Sequence, residues 1–529
     1  MENQNQPIIG PKRIKIRDSW GSRLGIILAV AGSAIGLGNF LRFPVQAASN
    51  GGGAFMIPYF VALILLGIPL MWIEWTIGRY GGGIEHGTAP GIFHTMWEKN
   101  RFIKYFGVIG IFGPLIILIY YTYIESWLLG FAVFSLTPKY AAALNSGLMQ
   151  NFLAGYQGLE KNQFFSGIGP AYMFFFITFV LNFLVVYFGI KHGIEKICRL
   201  FLPIFLLMGV IMAVRVLTLK APASTVESYT IKDALGFLWN PNFAYLKSAK
   251  VWLAAAGQVF FTLSVGIGVI LTYASYLKKS DDVVLNGLAA VSTNEFAEVI
   301  LGSSIVIPAA YMFFGPKQIV SIAQSGTFNL SFVTMPIIFH NIPVGVFFSF
   351  LWFLLLFMAG ITSSISLLQP AIAFLEDEFD VSREKAVKII AVICFILCHA
   401  PILFISKGVI GELDFWGGTF CLVLFGTVEA FLFVWIFGMD KAWDEIHQGA
   451  DMKIPGWYKP VIKYVTPTFL LVILAVWFYQ EGLPTISMHN IAPENRVYIL
   501  ATRLGLLAIF ILLAFLVRHA WRKKTRESL

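Results

Sequence analysis

Two short glycine-containing segments lie inside apolar stretches that are long enough to form membrane-spanning helices. Gly36-Leu-Gly38 interrupts the stretch 24–48, and Gly266-Ile-Gly268 interrupts the stretch 251–276. A glycine costs about 1 kcal/mol of helix stability relative to alanine, and backbone groups freed inside a membrane must face protein or a polar cavity. The two interruptions therefore predict a binding site near the middle of the membrane, built from two broken helices.

The ends of broken helices can bind charges of both signs. N-terminal ends present N–H groups that suit a carboxylate, and C-terminal ends present carbonyl groups that suit Na⁺ or an ammonium group. Asn39 and Thr262 lie beside the two breaks, while Asn294 and Thr362-Ser363 lie in later apolar stretches. Such oxygen donors suit an alkali cation, although each side chain alone is also typical of a hydrogen bond between membrane helices. Together they favour a site for a small zwitterion and a cation.

Two other interpretations of the glycine pairs are weaker. A dinucleotide-binding fingerprint needs a preceding strand and a third glycine, and Gly36-Leu-Gly38 has neither. Isolated small residues in membrane helices often serve helix packing. The same glycine spacing recurs at matching places in two halves of the chain, each time beside polar residues, and this recurrence favours a binding site.

Composition predicts a polytopic, all-α membrane protein. The 529 residues are 57% hydrophobic and 13% charged, with a mean hydropathy of +0.75, which excludes an ordinary soluble domain. Stretches of about 20 apolar residues can cross a bilayer. About twelve are expected, at roughly 23–48, 54–78, 103–135, 170–190, 197–218, 250–277, 286–313, 344–376, 387–405, 413–437, 462–480 and 497–519.

The net charge of +9 is explained by membrane topology rather than by nucleic acid. If both termini are cytoplasmic, the basic loops and the basic tail 518–526 fall on the cytoplasmic side, as the positive-inside rule requires. The polar, basic start of the chain lacks the pattern of a cleavable signal peptide. We expect a multi-pass protein of the cell (inner) membrane, in contact with lipid and without a nucleic-acid partner. The sequence leaves a homodimer open.

The spans group into two blocks, each of which opens with a broken helix. Because five is an odd number, a second block of five helices enters the membrane from the opposite side and forms an inverted repeat. The expected division is a cytoplasmic tail (1–22), a first repeat (23–218), an inverted second repeat (249–437), two further helices (462–519) and a second tail (520–529). Gly326-Thr-Phe-Asn329 predicts a helix break in a loop that could dip toward the entrance.

Charged residues within membrane spans are functional candidates because they are costly to bury. Arg42 follows the first break and Asp414 begins the tenth span, so the two could form a water-screened pair across the entrance to the site. Glu298 follows Asn294 by four residues and shares its helix face. Glu74 and Glu125 are more typical of structural hydrogen bonding.

Several motifs resemble the neurotransmitter:sodium symporter family, especially its prokaryotic amino-acid transporters. They are Gly36-Leu-Gly-Asn-Phe-Leu-Arg-Phe-Pro44, Gly51-Gly-Gly-Ala-Phe55, Ile73-Glu-Trp75, Gln258-Val-Phe-Phe-Thr-Leu-Ser264 and Asp414-Phe-Trp416. The resemblance runs from about Arg17 to the basic tail. It implies a LeuT-like fold, with unwound first and sixth helices, and Na⁺ as the co-transported ion.

The resemblance also implies two sodium sites and a substrate site. One sodium site would use the Ala34 carbonyl, Asn39, Thr262, Asn294 and the substrate carboxylate. The other would use the carbonyls of Gly32, Ile35 and Ala359 with the hydroxyls of Thr362 and Ser363. The substrate carboxylate would meet Leu37, Gly38 and Tyr121, and its ammonium group would meet carbonyls of Ala34, Phe261 and Thr262 with Ser363. The side-chain pocket would be formed by Ile117, Phe261, Ser264, Ile267 and Leu367.

The same resemblance assigns gates and a specificity pattern. Arg42 and Asp414 would form the entrance gate above Tyr121 and Phe261, and Arg17 with Trp20 would form a gate on the cytoplasmic side. Glu298 matches the acidic position that replaces bound chloride in chloride-independent members, and it is a candidate to carry a proton back. Gly36 lies where monoamine transporters of the family hold an aspartate. Ser33 and Ile267 replace an asparagine and a larger ring of the prokaryotic amino-acid transporters.

The sequence thus predicts a sodium-coupled symporter of a neutral, aliphatic amino acid that works by alternating access. It would be independent of chloride. An amino-acid sensor that kept the fold but lost transport is the main alternative, although Thr262, Thr362 and Ser363 are all retained. A channel would be expected to show ring-like charge or a carbonyl filter. An intramembrane enzyme is disfavoured because no paired nucleophile and base is evident.

Overall fold

The computed structural model describes residues 18–220, 229–489 and 491–527. Within these residues the chain is helical and contains no β-strand. Ten helices are long and apolar enough to cross a membrane, and one further pair forms a span bent by 45°. The predicted all-α membrane class is therefore confirmed. Shorter helices lie between the spans, at Ala89–Met96, Ser146–Tyr156, Ile231–Trp239 and Met439–His447.

We number the spans in chain order. They are Arg23–Ala34 with Gly38–Ser49 (span 1), Gly53–Gly82 (span 2), Ile103–Phe134 (span 3), Gly169–Tyr187 (span 4), Ile190–Leu217 (span 5), Ala249–Leu263 with Val269–Ala274 (span 6), Val283–Gln324 (span 7), Gly345–Phe379 (span 8), Arg383–Leu403 (span 9), Val409–Ile436 (span 10), Tyr458–Ile486 (span 11) and Pro493–Lys523 (span 12). Each of the twelve predicted stretches corresponds to one of these elements. Span 6 is interrupted so strongly that its halves are separate short helices.

Spans 1 and 6 are broken at the predicted glycine pairs. In span 1, regular helix ends at Ala34, and Ile35 adopts an extended backbone with φ −76° and ψ 98°. In span 6, helix ends at Leu263, and Ser264, Gly266 and Gly268 all have positive φ. Such values are readily adopted by glycine but are unusual for serine. The two interruptions are therefore real features of the backbone.

The break in span 6 is held by its neighbours. The backbone N–H of Gly266 donates a hydrogen bond to the buried carboxyl group of Glu74 in span 2. A side chain on Gly268 would lie 2.6 Å from the carbonyl oxygen of Gly110 in span 3. The glycine is thus required both by the left-handed backbone and by the close approach of span 3. Glu74 acts in structural hydrogen bonding, as expected, and Glu125 likewise accepts a hydrogen bond from Asn182 at 3.0 Å.

Span 7 is kinked near its end, where Gly315 has φ 74° and ψ 173°. Gly326, with φ 107°, then separates this helix from the short apolar helix Thr327–His340. Thr327 and Phe328 line a cavity beside the broken helices. The predicted helix break after span 7 is present, and the segment that follows it reaches the entrance side of the site.

Candidate functional site

A small pocket lies between the two broken helices and spans 3, 8 and 10, with a volume of about 50 Å³. All of the predicted substrate-contacting residues except Thr262 line it. They are Ser33, Ala34, Gly36, Leu37, Gly38, Ile117, Tyr121, Phe261, Ser264, Ile267, Ser363 and Leu367. The pocket wall also contains residues that the sequence did not single out, namely Val269, Ser366, Gly418 and Leu422.

Hydroxyl groups hold the break of span 1 in place. The carbonyl oxygen of Ser33 accepts hydrogen bonds from Ser264 Oγ at 3.2 Å and from Ser363 Oγ at 3.1 Å. The side chain of Ser33 lies 2.7 Å from Ser366 Oγ. Three spans therefore meet at one turn of backbone, and Ser366 could have been found because it follows Ser363 by three residues on the same helix face.

Two backbone N–H groups near the first break donate to side chains around the pocket. Leu37 N–H donates to the Tyr121 hydroxyl at 3.5 Å, and Gly36 N–H donates to Asn39 Oδ1 at 2.8 Å. A Cβ atom on Gly36 would lie 2.7 Å from Ser363 Oγ, so no larger residue fits here without displacing the pocket wall. This arrangement supplies an N–H group and a hydroxyl group to a small anionic ligand.

Four polar side chains converge beside the pocket. Asn39 Nδ2 lies 3.1 Å from Thr262 Oγ1, 2.8 Å from Asn294 Oδ1 and 3.1 Å from Glu298 Oε2. Thr262 also donates a hydrogen bond to Glu298. All four residues are at most 1% exposed. Spans 1, 6 and 7 thereby contribute a buried cluster of amide, hydroxyl and carboxyl oxygens, the donor chemistry that a hard cation needs.

Glu298 has a further partner that the sequence motifs do not indicate. Gln258 Nε2 donates to Glu298 Oε1 at 2.8 Å. One helical turn away, Tyr59 donates to Glu295 Oε2 at 2.9 Å. The motif that begins at Gln258 was visible in the sequence, but nothing in its spacing showed that it reaches Glu298.

The residues of the second predicted cation site lie where spans 1 and 8 approach each other. A Cβ atom on Gly32 would be 3.3 Å from Thr362 Cβ. Thr362 Oγ1 and Ser363 Oγ lie 3.0 and 3.3 Å from the carbonyl oxygen of Ala359. Ile35 is fully buried at the end of the first half of span 1. The set combines hydroxyl and carbonyl oxygens at a close helix contact.

Two larger cavities lie on the side of the pocket marked by Arg42, with volumes of about 360 and 420 Å³. Arg42, Phe261 and Asp414 line both. The guanidinium carbon of Arg42 lies 4.3 Å from the ring centre of Phe261, and Asp414 accepts a hydrogen bond from Tyr120 at 2.6 Å. Among the described residues, Arg42 and Asp414 form no direct ion pair. We call these two cavities the entrance.

The opposite side of the pocket is closed by the first described residues of the chain. Trp20 Nε1 donates to the carbonyl oxygen of Tyr273 at 3.0 Å, and the two rings are 5.3 Å apart. Arg23 pairs with Asp282 at 3.2 Å and with Asp451 at 2.9 Å. The predicted gate residue Arg17 lies outside the described residues.

The chain is similar to known transporters over most of its length. A sequence model described as "Sodium:neurotransmitter symporter family" matches residues 17–151 and 149–523. An uncharacterized sodium-dependent transporter of Methanocaldococcus jannaschii is 31% identical over 464 residues, which cover 87% of this chain and 90% of that protein. The sodium-dependent serotonin transporter of Drosophila melanogaster is 25% identical over 504 residues, covering 89% of this chain and 78% of that protein.

A solved structure shares the fold. The crystal structure of MhsT in complex with L-phenylalanine superimposes with a TM-score of 0.73 and 28% sequence identity, covering 87% of this chain and 99% of that chain. The likeness extends over nearly the whole of that protein. The LeuT-like fold expected from the sequence motifs is confirmed.

Proposed function

The chain belongs to the sodium:neurotransmitter symporter family and is a multi-pass, sodium-dependent transporter rather than an enzyme, and from this premise we propose that it carries a neutral, aliphatic amino acid together with Na⁺. The observation that supports the proposal most strongly is the pocket between the two helix breaks. Its lining, within the described residues, contains no charged side chain. Backbone groups, hydroxyls and a bound cation can there satisfy both charges of a zwitterion.

The two ends of an amino acid would use different parts of the pocket. Its carboxylate would bind the N–H groups of Leu37 and Gly38 and the Tyr121 hydroxyl, which already lies 3.5 Å from Leu37 N. Its ammonium group would bind carbonyl oxygens at the breaks, together with Ser363. Gly36 leaves no aspartate to bind a ligand that lacks its own carboxylate, which argues against a monoamine.

The side-chain portion of the pocket favours an aliphatic substrate. Ile117, Ile267 and Leu367 line it, and Phe261 separates it from the entrance. The neighbouring structure of MhsT holds L-phenylalanine. We expect a preference for medium aliphatic side chains over aromatic ones, because branched aliphatic residues occupy the wall. Polar side chains would lose solvent without gaining a charged partner.

We place Na⁺ in two positions. One ion would bind Asn39, Thr262 and Asn294 with the Ala34 carbonyl, and the substrate carboxylate would complete its coordination. The other would bind the Gly32, Ile35 and Ala359 carbonyls with Thr362 and Ser363. Two Na⁺ crossing about 100 mV release about 4.6 kcal/mol, and a tenfold gradient adds about 1.4 kcal/mol per ion. The total supports a substrate gradient of about five decades.

Glu298 would replace the chloride ion used by other members of the family. Its carboxyl group lies within hydrogen-bond distance of Asn39 and Gln258, so a negative charge is available beside the first cation position. Glu298→Ser should make uptake depend on added chloride, because chloride can then supply that charge. Glu298→Gln should transport poorly with or without chloride. Uptake by Glu298→Ser that ignores chloride would contradict this role.

Transport would proceed by alternating access, with spans 1, 2, 6 and 7 moving against the rest. The structure has cavities on the Arg42 side of the pocket and a closed Trp20 side. We assign the Arg42 side to the outside of the cell membrane and both termini to the cytoplasm, in accord with the positive-inside distribution.

The proposal is tested by uptake of a panel of labelled amino acids into proteoliposomes, with Na⁺ or K⁺ outside and K⁺ inside. We expect accumulation of medium aliphatic amino acids only with external Na⁺. Accumulation that does not depend on Na⁺ would contradict the mechanism. Saturable, Na⁺-dependent binding without accumulation would instead identify a sensor.

A further inference from the structure

Arg503 is an unusual residue for its position in span 12. It is the only charged residue between 497 and 517. The side chains beside it face outward, with Leu504 66% and Leu507 55% exposed, as expected for a helix at the lipid boundary. An arginine within two turns of a helix end can usually extend its charge to the membrane surface. Arg503 instead turns inward, where a charge is costly unless it is paired.

Each of the three guanidinium nitrogens of Arg503 donates a hydrogen bond. Nε donates to the carboxylate of Glu412, one terminal nitrogen donates to the Ile486 carbonyl oxygen at 3.0 Å, and the other donates to the Thr485 carbonyl oxygen at 2.6 Å. Trp416 Nε1 donates to the same carboxylate at 2.7 Å. The side chain of Glu412 is only 4% exposed. The rigid fork of an arginine therefore ties span 10 to span 12 and to the end of span 11.

Glu412 lies two residues before Asp414, the acidic residue at the entrance. Residues two apart on a helix point about 200° away from each other. Glu412 accordingly faces span 12, whereas Asp414 faces the entrance and accepts the hydrogen bond from Tyr120. The rotation of this one turn sets the directions of both carboxylates.

The backbone of this turn has little rigidity of its own. The α-helical segment Val409–Leu413 passes into a π-helical segment at Asp414–Phe420, which contains Gly417-Gly418. Departures from α-helical geometry and paired glycines both weaken the intrinsic preference for one conformation. An external contact is therefore needed to fix its rotation.

We propose that Arg503 is a positioning residue for the entrance gate: through Glu412 it fixes the rotation of the turn that carries Asp414. The inference rests on the proposed function, in which Asp414 belongs to that gate. This end of span 10 then stays in place when the gate closes, and the side that carries Arg42 moves toward it. Substrate binding and gate closure are then separable, because Arg503 and Glu412 do not line the pocket.

The test compares Arg503→Gln, Asp414→Asn and the double variant. We expect Arg503→Gln to bind substrate within threefold of wild type and to lower the uptake rate at least tenfold. The double variant should be no slower than Asp414→Asn alone, because both changes disable the same element. Arg496→Gln is the matched control at the exposed start of the same helix, where Arg496 donates to the Ile491 carbonyl oxygen at 3.4 Å, and it should transport normally.

A cysteine reporter separates gate positioning from simple destabilisation. Ile124→Cys places a thiol in the entrance, while the four native cysteines are buried. When Arg503 is retained, Na⁺ and substrate together should slow the labelling of this cysteine by a water-soluble maleimide at least tenfold, compared with labelling without substrate. In Arg503→Gln the protection should fall below threefold. If that variant folds poorly, Glu412→Gln, which keeps an oxygen acceptor for Trp416 but removes the charge that pairs with Arg503, should show the same loss.

Three results would overturn the proposal. They are normal uptake and protection in Arg503→Gln, effects that multiply with Asp414→Asn, and a loss confined to thermal stability. If wild type fails to accumulate any amino acid, the proposed function fails instead. The rate at which the cysteine of Ile124→Cys is labelled in Na⁺ alone then decides the inference. If Arg503 fixes the turn, Arg503→Gln must change this rate by more than threefold. An unchanged rate would overturn the inference.

Discussion

At the scale of single residues, the pocket uses hydroxyl groups that already have protein partners. Ser264 and Ser363 both donate to the Ser33 carbonyl oxygen. Hydroxyls can rotate between acceptors, so Ser363 can turn toward a ligand while Ser264 keeps the break of span 1 in place. The cost of polar burial is thus already offset before a substrate arrives.

Substitution of Gly36 tests whether the pocket has room for a larger residue at this position. Gly36→Ala would place a methyl group 2.7 Å from Ser363 Oγ and 3.2 Å from the Tyr121 hydroxyl, and we expect substrate affinity to fall at least tenfold. Equilibrium binding of the best amino acid from the uptake panel would measure it. Gly505→Ala is the matched control, because a Cβ there meets nothing within 4 Å. Unchanged affinity in Gly36→Ala would show that the ligand binds elsewhere.

At the scale of elements, the interruption of span 6 depends on contacts from distant parts of the chain. Gly266 approaches the Leu422 carbonyl oxygen of span 10, and Gly268 approaches the Gly110 carbonyl oxygen of span 3. Glu74 accepts the hydrogen bond from the freed N–H of Gly266. The break is stable because three neighbouring helices satisfy it or pack closely against it.

Gly268→Ala should destabilise the folded transporter. The left-handed backbone alone costs an alanine about 1–2 kcal/mol, and the added methyl group would also lie 2.6 Å from the Gly110 carbonyl oxygen. We expect a lower melting temperature in detergent. In the same span, Gly257→Ala meets nothing within 4 Å and should melt at or above the wild-type temperature, since alanine favours helix. Equal melting of the two variants would contradict the required role of Gly268.

The sequence predicted the breaks and most of the pocket, and it failed where long-range packing decides. Glycine pairs in apolar stretches report a local backbone preference, so Gly36 and Gly268 were recognisable. Gly418 and Leu422 line the pocket because span 10 packs with one particular face toward span 6, and a single sequence does not specify that rotation. The contact between Gln258 and Glu298 likewise depends on how spans 6 and 7 are rotated toward each other. The left-handed Ser264 carries no residue-type signal at all.

At the scale of the whole molecule, the two sides of the pocket differ. The entrance shares Phe261 with the pocket. A cavity of about 310 Å³ on the Trp20 side shares no lining residue with it among the described residues. Arg23, Asp282 and Asp451 lie in the wall of that cavity and hold the start of span 1 to later segments. The pocket therefore adjoins the cavities on the Arg42 side and is separated from the cavity on the Trp20 side.

Asp282→Asn should loosen the Trp20 side. The side chain of Asp282 is 2% exposed and that of Arg23 is 46% exposed, so their ion pair is shielded from water on the Asp282 side, whereas Asp451 is 69% exposed and its pair should be worth less than about 1 kcal/mol. We expect faster hydrogen exchange in residues 18–30 and a several-fold weaker Na⁺ affinity in Asp282→Asn. Asp451→Asn should change both only slightly. Equal effects of the two variants would contradict an account based on the shielded pair.

The central claim is that the substrate carboxylate completes the coordination of a Na⁺ held by Asn39, Thr262 and Asn294. The most direct test is the coupling between the two ligands in purified protein, measured as substrate affinity against Na⁺ concentration and Na⁺ affinity against substrate concentration. Linkage requires that Na⁺ changes the substrate affinity by the same factor as the substrate changes the Na⁺ affinity. We expect a factor of about 5 to 150 in wild type, its collapse toward one in Asn294→Ala, and its retention in the buried control Asn182→Ala. Affinities that are independent of each other in wild type would contradict the account.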